Sequence, residues 1–169
     1  TSELYFEEVI LPKENILGIA GQGFSQLMDE LPQERLSIAV TAISAAEAAL
    51  NWTIAYVKER TAFDKKIIEF QNTKFTLAKL KADITVGRTF IDRCIKEHIN
   101  NNFSAEDGAI AKLWCTDLQF KVMDECLQLH GGYGYMKEYP IARAFLDSRV
   151  QRIYGGTNEI MKEIISRNL

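Results

Sequence analysis

The sequence predicts an all-α fold, namely an up-down four-helix bundle with extra short C-terminal helices and with the end of a strand before it. Helix breakers are scarce, because the 169 residues include three prolines and ten glycines, and five of those glycines fall in two short clusters. Apolar residues recur three or four positions apart over three long segments, which is typical of helices with one buried face. The connections between these segments are short, so consecutive helices are expected to run antiparallel.

The N-terminal segment differs from the rest of the chain. Residues 4–10 are rich in β-forming side chains and Pro12 closes the run, which indicates the end of a strand. Residues 13–23 contain three glycines and indicate a loop, but their spacing does not match GxGxxG and so does not favour dinucleotide binding there. A lone strand requires a sheet. We therefore expect residues 1–20 to be the tail of a preceding β-domain and a linker, residues 21–169 to be the helical domain, and the chain to be part of a longer subunit.

Three apolar stripes define the long helices. Their positions are Leu36, Val40, Ile43, Ala46, Leu50, Ile54 and Val57, then Leu77, Leu80, Ile84, Gly87, Ile91 and Cys94, then Ile110, Trp114, Leu118, Val122, Cys126 and Leu129. The first helix is expected to begin near Gly23, and Pro32 is tolerated in it either as a first-turn residue or at a kink. A break is expected at residues 61–66. Ser104 and Asp107 have the spacing of a capping box at the start of the third helix.

Glycine turns separate the remaining elements. The cluster Gly131–Gly134 ends the third stripe, at a position where a helix C-cap favours a left-handed φ. Two shorter helices are expected near 138–149 and 157–167. The pair Gly155–Gly156 lies between them and predicts a second turn.

Composition excludes several classes of protein. Twenty Lys and Arg against twenty-three Asp and Glu give a formal charge of −3, which argues against a generally basic nucleic-acid binder. Uninterrupted apolar runs are short, so we expect no membrane span, and no signal-peptide pattern is visible. The three cysteines lack CxxC spacing, and His98 and His130 lie far apart, so neither a disulfide framework nor a metal site is expected. This cysteine usage suits a reducing compartment.

Glu34 and Arg35 form the first candidate site. They follow Pro32 and come immediately before the first apolar stripe. A carboxylate near a helix start is usually a favourable partner of the helix dipole. If the Glu34 side chain instead turned inward among apolar neighbours, its pKa would rise and it could act as a general base.

Two further parts of the sequence contain residues that are suited to ligand binding. Arg60, Phe63 and Gln71 place a fixed charge, an aromatic plane and an amide in one connection, a set that suits a diphosphate and a flat heterocycle. The alternative for that segment is a plain surface connection between helices. Both glycine turns allow close approach of a phosphate or carbonyl to backbone N–H groups, and Thr157 lies at a helix start that favours anions. The alternative for the turns is that they are helix caps alone.

Together these motifs carry a family resemblance. They are PheGluGluVal, LeuPro and AsnIleLeuGly near the start, GluArgLeu at 34–36, ArgThrAlaPhe to PheGln across 60–71, GlnLeuHisGlyGlyTyrGlyTyr at 128–135, GluTyrPro at 138–140 and IleTyrGlyGlyThrAsnGluIle at 153–160. With them the whole chain resembles the C-terminal helical domain of the acyl-CoA dehydrogenases, and within that family most of all the long-chain branch.

The resemblance implies a flavoprotein of fatty-acid β-oxidation. Such an enzyme holds FAD and converts a saturated acyl-CoA, here long-chain or branched, to the trans-2-enoyl-CoA by loss of an α-proton and a β-hydride. It passes electrons to an electron-transfer flavoprotein. The resemblance also implies a homodimer or homotetramer with FAD sites shared between chains. The implied compartment is the cytoplasm of a bacterium or the mitochondrial matrix of a eukaryote. The 169 residues alone are expected to be inactive and to bind FAD weakly or not at all.

The resemblance also implies catalytic roles. Most family members carry the base directly after the Tyr of the second turn, where this chain has Gly155. The long-chain and isovaleryl branches instead carry a Glu before an Arg on the long helix, which matches Glu34 and Arg35. Glu34 is thus implied as the base, and the Gly155 N–H as a hydrogen-bond donor to the thioester carbonyl. Arg35, Tyr154 and Gly155 are implied as substrate contacts.

The remaining matches are FAD-binding positions. Arg60, Phe63 and Gln71 match contacts to the FAD of a neighbouring subunit, Gln128, Gly131 and Gly132 match the surroundings of its ADP half, and Thr157 and Glu159 match positions near the flavin. Glu159 is also a rival carboxylate for the base. Two alternatives remain: an acyl-CoA oxidase-like flavoenzyme that gives its electrons to oxygen, and a non-catalytic helical interaction domain of the same fold.

Overall fold

The computed structural model describes residues 2–167 and 169, and helices dominate it. They are α1 (Gly23–Glu59), α2 (Gln71–Ile99), α3 (Ala105–His130), α4 (Pro140–Val150) and α5 (Asn158–Ser166). Within the described residues the only strands are β1 (Thr61–Ala62) and β2 (Lys65–Lys66), a two-residue antiparallel pair, and short 3-10 segments lie at Lys13–Asn15, Ile67–Glu69 and Gly131–Tyr135. The predicted all-α class is confirmed.

The chain divides into two units, residues 1–30 and residues 31–169. In the first unit, α1 begins at Gly23, as predicted. The expected strand end at residues 4–10 is wrong, because residues 2–12 form no strand. Strand geometry is stabilised by hydrogen bonds to a neighbouring strand, and the described residues of this unit offer none. The boundary proposed after residue 20 remains a prediction.

The second unit is built around one apolar core drawn from α1, α2, α3 and α4. Small residues dominate the α1 side of it, and Ala39, Ala42 and Ala46 are completely buried there. Gly87 allows α2 to approach closely, since a Cβ at this position would lie 2.7 Å from Ile43 Cδ1 and 2.9 Å from a Trp114 ring carbon. Most residues of the predicted stripes therefore face one another in the core, but Trp114 of the third stripe is 40% exposed.

Local start and stop signals are largely as predicted. The Ser104 hydroxyl accepts from the Asp107 N–H at 3.1 Å, and the Ser104 N–H donates to Asp107 Oδ2 at 3.0 Å, which makes a complete capping box. Gly131 has a φ of 59° at the end of α3. Pro32 lies in the interior of α1 rather than in its first turn.

Helix α1 is long and apolar enough, by length and composition alone, to cross a membrane. The short uninterrupted apolar runs of the sequence had not suggested this. Its buried side chains, among them Ile43, Leu50 and Val57, pack in the core with α2 and α3. Packing in the helical core therefore accounts for its apolar composition.

Candidate functional site

The candidate residues of the second unit collect in two places, near the two ends of the described bundle. The glycine-turn site consists of Arg35 of α1, Lys112 of α3, the turn Gly155–Gly156 and Asn158 of α5. The aromatic pocket lies where the end of α1, the β1–β2 hairpin and the end of α3 meet. From Arg35 to the end of α1 the helix rises about 36 Å, at about 1.5 Å per residue.

Two cationic side chains hold the carbonyls of the glycine turn. Arg35 Nε donates to Gly155 O at 3.3 Å, and Lys112 Nζ donates to Gly156 O at 2.7 Å. Gly155 and Gly156 have φ angles of 65° and 94°, a region that other residues rarely adopt. Among the described residues the Gly155 N–H has no hydrogen-bond acceptor. The turn thus has both carbonyls bound to protein side chains, whereas its Gly155 N–H is not bound to any described residue.

A polar network continues from Lys112 behind the turn. Lys112 Nζ also donates to Asn158 Oδ1 at 2.9 Å. The Asn158 amide in turn donates to Thr116 Oγ1 at 3.1 Å and to Asp117 Oδ1 at 3.0 Å. Asp117 pairs with Arg152 at 2.7 Å. The first residue of α5 is therefore tied to α3 through side chains.

Burial perturbs both cations of this site. Burial lowers the pKa of Lys112 to about 8, with the positive charge of Arg35 acting in the same direction. Burial also lowers the pKa of the Arg35 guanidinium, while the negative charge of Glu34 opposes that shift. Charged groups held away from water in this way are frequent at functional sites.

The other predicted residues around the turn differ in exposure. Arg35 is 6% exposed, whereas the neighbouring Glu34 side chain is exposed, so the described residues do not enclose it among apolar groups. Tyr154 is 45% exposed. Thr157 is the N-cap of α5, with its hydroxyl accepting from the Ile160 N–H at 3.3 Å. Hydrogen bonding to its own backbone amide lowers the pKa of Glu159.

The aromatic pocket has a volume of about 910 Å³ and collects five of the predicted residues. They are Arg60, Phe63, Gln128, Gly131 and Gly132. Gln71 is the first residue of α2 and lies in sequence between two lining residues, Phe70 and Asn72, without lining the pocket itself. The structure therefore brings together residues that lie about seventy positions apart in the chain.

Backbone turns shape the rim of this pocket. Phe63 and Asp64 have φ angles of 54° and 61°, as a tight hairpin turn requires, and Phe63 is 89% exposed. A Cβ at Gly131 or Gly132 would meet nothing within 4 Å, so the chain leaves open space there. The Gly131 N–H donates to Gln128 O as part of the helix cap, so Gly131 contributes its shape rather than a free donor.

Aromatic rings form the wall of the pocket. Tyr56 stacks on His130 with ring centroids 4.3 Å apart and donates its hydroxyl to His130 O at 3.1 Å. Arg60 lies over the Tyr133 ring at 5.2 Å, a cation–π geometry. His130 Nδ1 lies 2.8 Å from Cys126 O, and burial lowers the pKa of this imidazole.

Sequence reasoning missed Lys112, Asn158, Tyr56 and Tyr133. Lys112 lies off the predicted apolar stripe of α3, and it would have been noticed only from a second buried register that includes Thr116 and Gln119. Asn158 lies inside a motif that was noticed, yet its partners are on another helix. Within the part of the chain that the structure describes, no group of three His, Cys, Asp or Glu side chains could hold a metal ion.

Comparisons with known proteins show which family and fold this chain resembles. Residues 21–169 match the family described as "Acyl-CoA dehydrogenase, C-terminal domain". The chain is 52% identical over its full length to the mitochondrial long-chain specific acyl-CoA dehydrogenase of Mus musculus, of which it spans 39%. It is 34% identical over 166 residues to the caffeyl-CoA reductase-Etf complex subunit CarC of Acetobacterium woodii, of which it spans 44%. A crystal structure of an acyl-CoA dehydrogenase from Geobacillus kaustophilus superposes with a TM-score of 0.92 at 48% identity, covering 97% of this chain and 43% of that one.

Proposed function

The chain belongs to the acyl-CoA dehydrogenase family, and from that membership we propose that it supplies the base and the carbonyl-polarising group of an FAD-dependent enzyme that oxidises acyl-CoA to trans-2-enoyl-CoA. One observation carries the proposal. The hydrogen bond from Arg35 Nε to Gly155 O, at 3.3 Å, joins the segment of α1 that holds Glu34 to a turn 120 positions later in the chain.

The reaction needs a strong polarising group, because the α-C–H of a thioester is too weakly acidic for a carboxylate to deprotonate unaided. In our proposal the Gly155 N–H donates to the thioester carbonyl and stabilises the negative charge that develops there. The Glu34 carboxylate takes the α-proton and becomes the neutral acid. Arg35 contacts Gly155 O with its guanidinium Nε, which supports the turn from behind.

The aromatic pocket suits part of an FAD molecule. Arg60 offers a planar cation for a diphosphate, Gln128 an amide for a heterocycle edge, and Phe63 an exposed ring. Gly131 and Gly132 leave room at the rim, and Gln71 lies beside the pocket at the start of α2. FAD, when bound, would accept the hydride that leaves the β-carbon.

The separation of the two regions favours an oligomer. In our proposal Thr157 and Glu159 lie near the flavin at the glycine-turn site, whereas Arg60 and Gln128 contact an FAD at the aromatic pocket. About 36 Å of helix α1 separates the two, farther than one FAD extends. Each chain would therefore contribute to two FAD sites, so we propose a homodimer or a homotetramer.

Substrate and partner are proposed from the relatives. The name of the mouse protein supports a long-chain acyl-CoA as substrate, and the name of the Acetobacterium subunit supports an electron-transfer flavoprotein as the partner. A branched acyl-CoA and a role in β-oxidation are proposed from the family resemblance alone. The corresponding compartment would be the cytoplasm of a bacterium or the mitochondrial matrix of a eukaryote.

Anaerobic flavin bleaching of the full-length enzyme tests the proposal. Acyl-CoA substrates of increasing chain length should bleach the flavin, and Glu34→Gln should slow bleaching by roughly 10²–10⁴-fold, the contribution of a positioned base. Asp124→Asn, the same chemical change at an exposed position of α3, should leave the rate unchanged.

Three other outcomes would contradict the proposal, each in a different way. Normal bleaching of the Glu34→Gln variant would contradict the assignment of the base. Rapid reoxidation of the reduced flavin by air would favour an oxidase. A full-length protein that is purified without flavin and takes up none would favour a non-catalytic interaction domain.

A further inference from the structure

We propose that Lys112 is a positioning residue of this reaction: its buried amino group fixes the Gly156 carbonyl and thereby aims the Gly155 N–H at the substrate thioester. The proposal rests on the function proposed above and assigns a residue to it that neither motif nor resemblance singled out. Lys112 itself does not touch the substrate in this account.

Lys112 is buried, and no residue that the structure describes forms an ion pair with it. Its side chain is completely buried, and its two acceptors among the described residues are neutral oxygens, Gly156 O at 2.7 Å and Asn158 Oδ1 at 2.9 Å. Burying an amino group is costly unless its donors are satisfied. Both acceptors belong to the turn or to the first residue of α5. The two hydrogen bonds that offset the cost of burying Lys112 therefore also hold the glycine turn and the start of α5.

The geometry of two adjacent glycines explains why such a hold is needed. Glycine populates many backbone conformations, so an unsupported Gly155–Gly156 turn would point the Gly155 N–H in many directions. Arg35 binds the carbonyl of Gly155 and Lys112 binds that of Gly156, so the two peptide planes after Gly155 are both anchored. The Gly155 N–H belongs to the peptide plane before Gly155, which lies between these anchored planes and the peptide that the Tyr154 N–H ties to Val150 O at 3.1 Å. The Lys112 bond is 2.7 Å long and the Arg35 bond 3.3 Å, so Lys112 makes the closer contact.

The network behind Lys112 makes this anchor rigid. Asn158, which accepts from Lys112, donates to Thr116 and to Asp117 of α3, the helix that also carries Lys112. The charged groups that act on the Lys112 amino group come from every neighbouring element: Arg35 of α1, Asp117 of α3, Arg152 after α4 and Glu159 of α5.

The test separates carbonyl polarisation from hydride transfer. An acyl-CoA whose β-carbon is replaced by sulfur has no β-hydride to lose, so exchange of its α-protons with D₂O reports on polarisation and on the base alone. We expect Lys112→Met in the full-length holoenzyme to slow this exchange, per bound flavin, by about tenfold to a hundredfold, somewhat less than the loss of a whole oxyanion donor. The kcat for acyl-CoA should fall in parallel, whereas KM should change by less than about threefold, since the lost interaction belongs to the transition state.

Three further variants complete the test. Lys112→Arg, which keeps a long cationic donor, should recover most of the exchange rate. Lys112→Gln keeps a polar group in the polar cavity but is too short to reach Gly156 O, so it should slow the exchange by the same tenfold to hundredfold. This variant replaces Lys112→Met in the test if the Met variant fails to fold. Lys121→Met, on the same helix but paired with Asp83 at 2.8 Å on the surface, should exchange normally.

A purely structural role would give a different result. Lys112→Met and Lys112→Gln would then lose thermal stability and flavin content, yet the molecules that retain flavin would exchange at the wild-type rate, which would overturn the proposal. Failure of the proposed function is recognised separately, because the wild type itself would then neither exchange the α-protons nor bleach with acyl-CoA.

Discussion

The glycine-turn site and the aromatic pocket use charged side chains in opposite ways. In the first, Arg35 and Lys112 are buried and contact carbonyl groups of the protein's own backbone. In the second, Arg60 is exposed and lies over the Tyr133 ring beside an open volume of about 910 Å³. A buried cation that donates to backbone carbonyls holds the backbone in place, whereas an exposed cation remains available to a ligand.

The difference indicates which region is suited to chemistry and which to holding a large group. A reaction requires a donor fixed in direction before the substrate arrives, and in our proposal the anchored carbonyls of Gly155 and Gly156 contribute to that fixation. A dinucleotide instead requires an open surface with several polar contacts and flat rings. Tyr56, stacked on His130 at 4.3 Å, contributes such a rigid wall.

Matched glycine substitutions are expected to give the largest difference between the two regions. Gly155→Ala and Gly131→Ala place a Cβ on residues with φ of 65° and 59°, so each should lose about 1–2 kcal/mol of stability from backbone strain. The new Cβ at residue 155 would also lie 2.6 Å from Ile38 Cδ1, while that at residue 131 would meet open space. Flavin reduction by acyl-CoA should therefore fall by about tenfold to a hundredfold in Gly155→Ala, toward the loss of an oxyanion donor.

Stopped-flow reduction and thermal melts of the two full-length variants would check this. Gly131→Ala should keep its rate of flavin reduction once FAD is saturating. Equal loss of rate in both variants would mean that strain alone, and not the aim of the Gly155 N–H, sets the rate.

A smaller effect is expected at the aromatic pocket. Arg60→Ala removes the proposed charge-assisted contact to the diphosphate and the cation–π pair with Tyr133, so the Kd for FAD should rise about tenfold, which is equivalent to about 1.4 kcal/mol. The Kd of Arg60→Lys should lie between those of the wild type and Arg60→Ala, because lysine keeps the charge but loses the planar stacking group. Titration of the full-length apoprotein with FAD measures both. Arg167→Ala, at an exposed ion pair with Glu163, is the control, and a Kd in Arg60→Ala equal to that control would exclude a diphosphate role for Arg60.

The last expected effect concerns stability rather than activity, and it is a pH dependence confined to the glycine-turn site. The pKa of Lys112 is about 8 in the folded chain against 10.5 for an ordinary lysine. Between these values the unfolded chain binds a proton that the folded chain does not, so the stability from this group rises with pH, by up to about 1.4 kcal/mol per pH unit, and is constant below pH 8. The difference in Tm between wild type and Lys112→Met should thus widen from pH 8 to pH 9.5. For Lys121→Met the difference should stay flat, and a flat difference for Lys112→Met would argue against its burial.

Periodicity predicted the helices because it depends on neighbours three and four positions away. The stripe from Leu36 to Val57 became the buried face of α1, and the pair Ser104 and Asp107 became a capping box. The strand expected at residues 4–10 failed for the converse reason, since β-propensity requires a partner strand that the described part of the first unit does not provide. The assignments of site residues remain predictions, although the structure brings several of those residues together.

What the sequence alone determined were the features that a residue and its near neighbours decide: an all-α class, the ends of the long helices, a positive φ at the glycine that ends α3, and a turn at 155–156. What only the tertiary structure decided were contacts between helices, such as Arg35 with Gly155, Lys112 with Gly156, and Tyr56 with His130. Local periodicity shows which face of a helix is apolar, but not which other helix meets it or at what height along the axis. Packing of the whole core sets those rotations and heights. It thereby places Lys112, which does not belong to the apolar stripe of α3, against the carbonyl of Gly156.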